Sequence, residues 1–423
     1  MKIVDLLGYQ VLDSRGRPTV AARITLADGS SHVAKLPSGA STGQHEAAEL
    51  RDGKITGTNS YYSGLSVTNA VSNINNKIKP VIIGLDIDLN QVDSKLIELD
   101  SSERFTNIGA NSTLAVSLAS SLAHAHSQQK SLARFFQPNG KLMIPMPMIN
   151  ILSGGAHANR GMDIQDVLII PIGAKSFAEA IAWAAGIREA AAKLGQAKGM
   201  LTHLVADEGG LGIAFNSVNA ACEFVIEAIG SVGLKVGQEV SLALDIAATQ
   251  FFSENNYVLA NANKSYSGKE FVQFIVNLVN DFPIVSIEDP FAEDDWQSWI
   301  DFNQIAPKSI QILGDDLLTT NLSRLERAIL DKAANAILIK PNQNGLVTNT
   351  EHVVRKAKEA QFRTVVSARS GETEDSWLAD LAVGWGAGQI KVGSTHGSER
   401  TSKWNRLLEL ELIEDCEFIN PFA

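Results

Sequence analysis

Four short apolar runs in the later part of the chain each stop on a charged residue. Leu242-Ala243-Leu244 runs into Asp245, 284–287 into Glu288, Ile312-Leu313-Gly314 into Asp315, and Ala336-Ile337-Leu338-Ile339 into Lys340. Runs this short and this apolar read as buried strands. After Lys340 the chain turns at Pro341, Asn342 and Gly345. A buried strand accommodates a charge most readily at its end, and the carboxyl ends of the strands of an α/β barrel form the mouth where catalytic groups gather. The spacing therefore predicts a barrel in which three acids hold a metal ion and Lys340 moves a proton beside it.

The chain has 423 residues, too many for one ordinary domain. A barrel of roughly 250–290 residues beside a smaller domain accounts for that length. The formal net charge of −11 argues against nucleic acid and against an anionic membrane surface as partners. No apolar run approaches the roughly 20 residues of a membrane span. Residues 1–10 lack the basic start and cleavage pattern of a signal peptide. Cys222 and Cys416 form neither a metal-binding spacing nor a disulfide framework. The cytoplasm is the expected location.

Residues 2–35 read as strands, with a hairpin at Asp28-Gly29 between 20–26 and 31–36. The stretch 37–43, Pro-Ser-Gly-Ala-Ser-Thr-Gly, is small, hydroxylated and glycine-bearing. It suits a loop that closes on a ligand, and equally a plain surface turn. From Thr42 a helical pattern is expected, with Glu46 and Glu49 on one face. Helical periodicity continues at 65–83, 89–99 and 111–126, so the first part of the chain reads as an α+β unit. From Ile144 short apolar runs alternate with helical stretches at 177–194, 217–232, 268–280 and 350–360. That alternation predicts a parallel sheet closed into a barrel. Gly-rich dinucleotide loops and phosphate-binding Gly-Lys-Ser/Thr loops are absent.

Asp245, Glu288 and Asp315 lie 43 and 27 residues apart, gaps that suit successive strand-helix units facing one mouth. Hard oxygen donors from separate strands suit Mg²⁺. Any one of these acids alone is better read as a helix cap or salt-bridge partner, but three closing three strands favour a metal. Desolvation and nearby cations would lower the pKa of Lys340 and make it a usable base. Lys391, in Gly388-Gln-Ile-Lys-Val-Gly393, repeats the arrangement and points to an anionic substrate. Arg369 and Ser370 suit phosphate or carboxylate. The alternative for Arg369 is a salt bridge to Glu372, Glu374 or Asp375. Asp207 and Glu208 precede a Gly pair that could aim Glu208 inward, or they are solvated acids of a loop. His157, after Gly154-Gly155, and Asp166 complete the candidates for acid-base work.

Together these residues resemble the enolase (phosphopyruvate hydratase) family over nearly the whole chain. The resemblance is carried by Val11-Leu-Asp-Ser-Arg-Gly16, the 37–43 loop, Glu49-Leu-Arg-Asp-Gly53, Gly154-Gly-Ala-His157, Asp207-Glu-Gly-Gly210 and Ser286-Ile-Glu-Asp-Pro290. Gly314-Asp-Asp-Leu317, Leu338-Ile-Lys340, Ser370-Gly-Glu-Thr-Glu-Asp375 and Gly388-Gln-Ile-Lys391 complete it. It implies an α/β fold: an N-terminal α+β capping domain over 1–133, then a modified (β/α)8 TIM-type barrel over 134–423. It also implies a glycolytic carbon-oxygen lyase that reversibly dehydrates 2-phosphoglycerate to phosphoenolpyruvate by abstracting the C2 proton. Two Mg²⁺ would serve each active site, the second arriving with substrate.

By the same resemblance, Asp245, Glu288 and Asp315 match the ligands of the first Mg²⁺, and Ser41 the loop serine that binds the second together with substrate phosphate. Lys340 matches the base and Glu208 the acid that helps the C3 hydroxyl leave. Lys391 matches the lysine at the substrate carboxylate, Arg369 and Ser370 the phosphate contacts, and His157 the histidine of a closing loop. Gln165 and Asp166 stand where the family carries Gln-Glu beside the substrate. The implied partner is a small phosphorylated carboxylic acid, and the implied assembly a homodimer or, in some members, an octamer.

Departures from the family fall close to the chemistry. Asp166 replaces the glutamate that acts with the Glu208 equivalent. Losing one methylene retracts a carboxylate by roughly 1.5 Å, and a misplacement of about 1 Å can cost on the order of 100-fold in rate. Ala368, in Ser367-Ala-Arg-Ser370, replaces an active-site histidine. Leu211-Gly-Ile-Ala214 stands for the usual Phe-Ala-Pro-Asn, and the run from Ser394 to Arg400 departs from Ser-Arg-Ser-Asp-Arg. Three functional readings follow. They are enolase chemistry on 2-phosphoglycerate, a relative acting on a modified phosphoglycerate or phosphonate (carboxyphosphonoenolpyruvate synthase-like), and a non-catalytic binding protein that keeps the fold.

Overall fold

The Asp28-Gly29 hairpin organises the N-terminal unit. Strands β1 (Ile3–Leu12), β2 (Pro18–Leu26) and β3 (Ser31–Lys35) pair antiparallel in that order. Gly29 takes φ of +87°, which only glycine adopts without strain. Helices α1 (Leu89–Leu99) and α2 (Ala110–Ser127) follow. Helix α2 packs on β2 and β3 and is buried along most of its length. It is therefore built from Ala, Ser, Thr and Leu rather than from one apolar stripe. Its hydroxyls bond to the carbonyls of Ala70, Leu118 and Gly345. These coordinates are a computed structural model that describes residues 1–39, 43–53, 61–158 and 160–423. Ser41 and the side chain of His157 lie outside the described residues.

Two expectations for this unit need correction. The 65–83 stretch is helical from Thr68 to Ile82, but its middle, Ile74–Ile78, widens into a π turn. Residues 43–53 are irregular rather than helical. Some of their polar groups bond within the stretch, as Gly43 N–H does to Glu46 Oε1, and others reach the barrel: Ala47 N–H bonds to the Gln343 carbonyl, and Glu46 pairs with Arg369.

The remaining chain closes a barrel. Strands β4 (Met146–Ser153), β5 (Asp166–Ile170), β6 (Ser241–Asp245), β7 (Ile284–Glu288), β8 (Gln311–Gly314), β9 (Ala336–Ile339), β10 (Arg363–Ser367) and β11 (Gln389–Gly393) follow one another around it. Its interior is packed by Met146, Met148, Leu168, Ile170, Ala243, Leu313, Leu338 and Val365, so it is a core and not a channel. The expectation of an all-parallel sheet fails at one strand. β5 runs antiparallel to both β4 and β6. The connection 154–165 holds no crossover helix, and a parallel neighbour would need one. Two helices, α3 (Phe177–Ala197) and α4 (Val218–Ser231), then follow in succession before β6. Among the described residues, no helix is long and apolar enough to cross a membrane.

The first turn of α5 (Val347–Glu359) joins the two units. Its own N-cap, Leu346, offers no side-chain acceptor. Two side chains from the N-terminal unit do that job: Val347 N–H donates to Ser117 Oγ at 3.0 Å, and Thr348 N–H to Asp93 Oδ2 at 3.2 Å. Thr348 Oγ1 and Ser117 Oγ also donate to Asp93 Oδ2, at 2.7 and 2.9 Å. Such caps contribute about 1 kcal/mol each. Burial nevertheless pushes the Asp93 carboxyl up to about 6, against the opposing pull of these donors. The folded chain thus holds this proton more tightly than the unfolded chain, and ionising Asp93 costs stability as pH rises from about 4 to about 6. Asp93→Asn removes that cost. Urea-unfolding free energies of the wild type should fall relative to the variant across this window and run parallel above about pH 7. A gap that stays constant from acid to neutral pH would contradict the assignment.

Candidate active site

The charged strand ends meet at one mouth. Asp245 closes β6 and Glu288 closes β7, and the two stand in register. Asp315 follows β8, which pairs with β7. Lys340 follows β9, Arg369 and Ser370 lie just beyond β10, and Lys391 sits within β11. Asp166 begins its strand rather than ending it. Because β5 is reversed, its first residue lies beside Asp245 and Ser153 at the same mouth.

Within the mouth each lysine holds carboxylates. Lys391 Nζ stands 2.7 Å from Asp245 Oδ2 and 2.7 Å from Glu288 Oε2. Lys340 Nζ pairs with Asp315 Oδ2, while Gln343 Nε2 donates to Asp315 Oδ1 at 2.9 Å. Gln165 Nε2 donates to Asp245 Oδ2 at 3.0 Å, and Asn150 Nδ2 to Glu208 Oε2 at 3.1 Å. Ser153 Oγ donates to Asp166 Oδ1, leaving Asp166 Oδ2 buried without a hydrogen-bond partner among the described residues. A cavity of about 30 Å³ is lined by Gln165, Glu208, Asp315, Lys340, Ala368, Arg369, Ser370 and Lys391.

These contacts set the electrostatics. Lys340 was expected to have a depressed pKa, and here it is raised. Burial does push it down, but the carboxylates of Asp315 and Glu288 outweigh burial together with the cations Arg369 and Lys391. Burial likewise lowers Lys391, and Asp245 and Glu288 carry it well above its ordinary value. Asp166 is held well up by burial and then by Glu208, and Glu288 by burial and then by Asp245. Burial raises Asp315 as well, but Lys340 and then Arg369 hold it below the usual carboxylate range. Burial and Asp315 push Asp316 up to about 8.

Carboxylates therefore crowd the mouth beyond what its cations neutralise. Asp245, Glu288 and Asp315 offer oxygen donors from three neighbouring strands, and that donor chemistry fits Mg²⁺. Among the described residues a different set of carboxylate oxygens comes together, those of Asp289, Asp315 and Asp316, which lie within 4.8 Å of one another. Asp289 does not fit a ligand role. Its two oxygens already accept the backbone N–H groups of Asp315 at 2.9 Å and Asp316 at 2.8 Å. It braces the loop that presents Asp315.

Arg369 takes none of the three partners foreseen for its guanidinium. It makes a two-pronged pair with Glu46 at 3.0 and 3.2 Å, and Glu372 accepts the Arg369 backbone N–H instead. Arg15 joins from the N-terminal unit, with Nη1 donating to Ser370 Oγ at 3.3 Å. Glu46, Arg15, Asn150 and Gln343 were missed as site residues. Arg15 left a trace inside the Asp13-Ser14-Arg15-Gly16 turn, and Glu46 was seen only as part of a helical face. Neutral amides on or after strands carry no charge pattern to follow.

Residues 3–136 match the family model described as Enolase, N-terminal domain, and residues 141–418 match the one described as Enolase, C-terminal TIM barrel domain.

The bracing role of Asp289 is testable by stability alone. Asp289→Ala leaves two amides unpaired beside buried charge and should cost about 2–4 kcal/mol in denaturant unfolding. Asp289→Asn keeps one acceptor and should cost less than half of that. An Asp289→Ala protein as stable as the wild type would remove Asp289 from this role.

Proposed function

We propose, because the chain belongs to the enolase family, that it is a carbon-oxygen lyase on a small phosphorylated carboxylic acid, converting 2-phosphoglycerate reversibly to phosphoenolpyruvate. The observation that carries this reading is the pair of lysines, Lys391 buried and Lys340 largely so, standing among strand-end carboxylates at one barrel mouth.

In this reading neutral Lys340 takes the C2 proton. The C3 hydroxyl leaves as water with a proton from Glu208, which Asn150 orients. Asp166 supports Glu208 from behind. Lys391 and Gln165 face the substrate carboxylate, Arg369 and Ser370 its phosphate, and His157 comes from a loop at the entrance. Asp245, Glu288 and Asp315 would hold one Mg²⁺, and Ser41 would help to hold a second. Mg²⁺ bound there supplies positive charge against the extra negative charge of the deprotonated carboxylate. Lys340 acts as a base only once its pairing with Asp315 is relieved, because that carboxylate is what keeps it protonated. We expect a cytoplasmic homodimer, with an octamer as the alternative assembly.

One observation favours a second reading. Ala368 lines the cavity where the family carries histidine, and Asp166 sits wholly buried with one oxygen unpartnered among the described residues. A bulkier or differently charged phosphonate or phosphoglycerate would use that space.

The test is turnover of 2-phosphoglycerate followed at the absorbance of the enol product, with Mg²⁺ and with chelator. Turnover should require Mg²⁺, and Lys340→Ala should lower it by about 1,000-fold or more. Asp166→Glu combined with Ala368→His should raise kcat/KM by on the order of 100-fold if these residues only slow the reaction. Exchange of the C2 proton for deuterium without turnover would move the assignment to the second reading. Neither exchange nor turnover with metal bound would sink the first reading and leave a different substrate or a non-catalytic protein.

A further inference from the structure

One guanidinium ties together loops that bring different groups to the mouth. Arg400 lies in the first turn of α6 (Ser398–Ile413) and is fully buried. Its Nη1 donates to the carbonyls of Arg369 at 2.6 Å and Val392 at 3.1 Å. Its Nη2 donates to the carbonyl of Asp207 at 3.0 Å and to that of Ser370. Arg369 and Ser370 belong to the loop after β10, Asp207 immediately precedes Glu208, and Val392 immediately follows Lys391.

The same three segments touch backbone to backbone. Ser394 N–H donates to the Glu208 carbonyl at 2.8 Å. A Cβ on Gly393 would stand 2.6 Å from that carbonyl oxygen, and one on Gly209 would stand 2.4 Å from the carbonyl oxygen of His396. No side chain fits between these strands of backbone, so their spacing rests on hydrogen bonds. Carbonyls are neutral, and among the described residues Arg400 is paired with one carboxylate, Glu399, 3.4 Å from Nε. A buried cation spread over four carbonyls fixes direction and distance more than it balances charge.

We propose that Arg400 is a positioning residue: it sets the separation of the Glu208 loop from the Arg369–Ser370 loop, and so the distance between the proton donor and the phosphate contacts. Its catalytic meaning rests on the enolase-type reading above, whereas its effect on the two loops does not.

Hydrogen exchange by mass spectrometry on the full chain decides the matter. Arg400→Lys keeps a charge and a long stem, but one ammonium cannot span carbonyls on both loops. Arg400→Gln removes the charge as well. The amides of Gly209, Leu211, Ala368 and Gly371 are bonded within or beside these loops. In both variants they should exchange at least about tenfold faster together, while α1, α2 and the barrel strands keep wild-type protection. Unchanged loops, loosening of one loop alone, or loosening throughout the barrel would each overturn the proposal. The last would make Arg400 a general packing residue.

Kinetics supply a second arm. Arg400→Lys should lower dehydration of 2-phosphoglycerate at least about tenfold while retaining C2 deuterium exchange, because Arg400 does not touch Lys340. Equal loss of both steps would count against positioning. A wild type that neither exchanges nor turns over would fail the functional reading, and the exchange of the loop amides would still decide the role of Arg400.

Discussion

Burying carboxylates in a barrel mouth is costly unless cations accompany them, and the rest of this site depends on how that cost is met. Lys391 sits between Asp245 and Glu288, and Lys340 sits on Asp315. Removing one partner from such a pair leaves an uncompensated buried charge and costs several kcal/mol, about 3–5. The lysines are therefore part of the fold as well as of the proposed chemistry. The same pairing sets a conflict. A lysine that keeps acids ionised is itself kept protonated, and a protonated lysine takes no proton. Stability and reactivity place opposite demands on one contact, Lys340 with Asp315, and whatever engages Asp315 from outside changes both.

The mouth is also not the property of the barrel alone. Glu46 and Arg15 come from the N-terminal unit and hold Arg369 and Ser370. Ser117 and Asp93 cap a barrel helix that lacks a cap of its own. The two units thus share polar groups that neither could satisfy separately in a buried setting. A change in the irregular stretch 43–53 is felt at Arg369 through Glu46, without any barrel residue being altered.

Much of this was legible in the residues. An apolar run that stops on a charge has one stable placement, so Asp245, Glu288, Asp315 and Lys340 could be assigned to a common mouth. The electrostatics were not legible, because the partner of Lys340 is set by which strands become neighbours. Nor was the direction of β5: a fully buried strand is apolar on both faces and reads the same either way. Residues 43–53 carry helical spacing, but their polar groups find better partners across the domain boundary than along a helix. Arg400 stayed invisible for a related reason. Its acceptors are backbone carbonyls, which every residue has, so no pattern of side chains points to it.

The reversed strand has a consequence for how the chain can be built. β5 starts at the mouth and ends at the floor of the barrel, and β6 starts at the floor. A single helix between them would finish at the wrong end, so the connection needs an even number of helices. Helices α3 and α4 are that pair, one climbing and one descending. The link between them, residues 198–217, is thereby carried to the rim, and it is this link that holds Asp207 and Glu208. Glu208 reaches the site from a helix-to-helix connection, whereas Asp166, Asp245, Glu288, Asp315, Lys340 and Lys391 arrive on strands or just beyond them. The backward strand and the seat of the acid go together: in a barrel that kept every strand parallel, the rim loop at this place would lead from a strand into a helix, and the acid would stand at a strand end instead of between two helices.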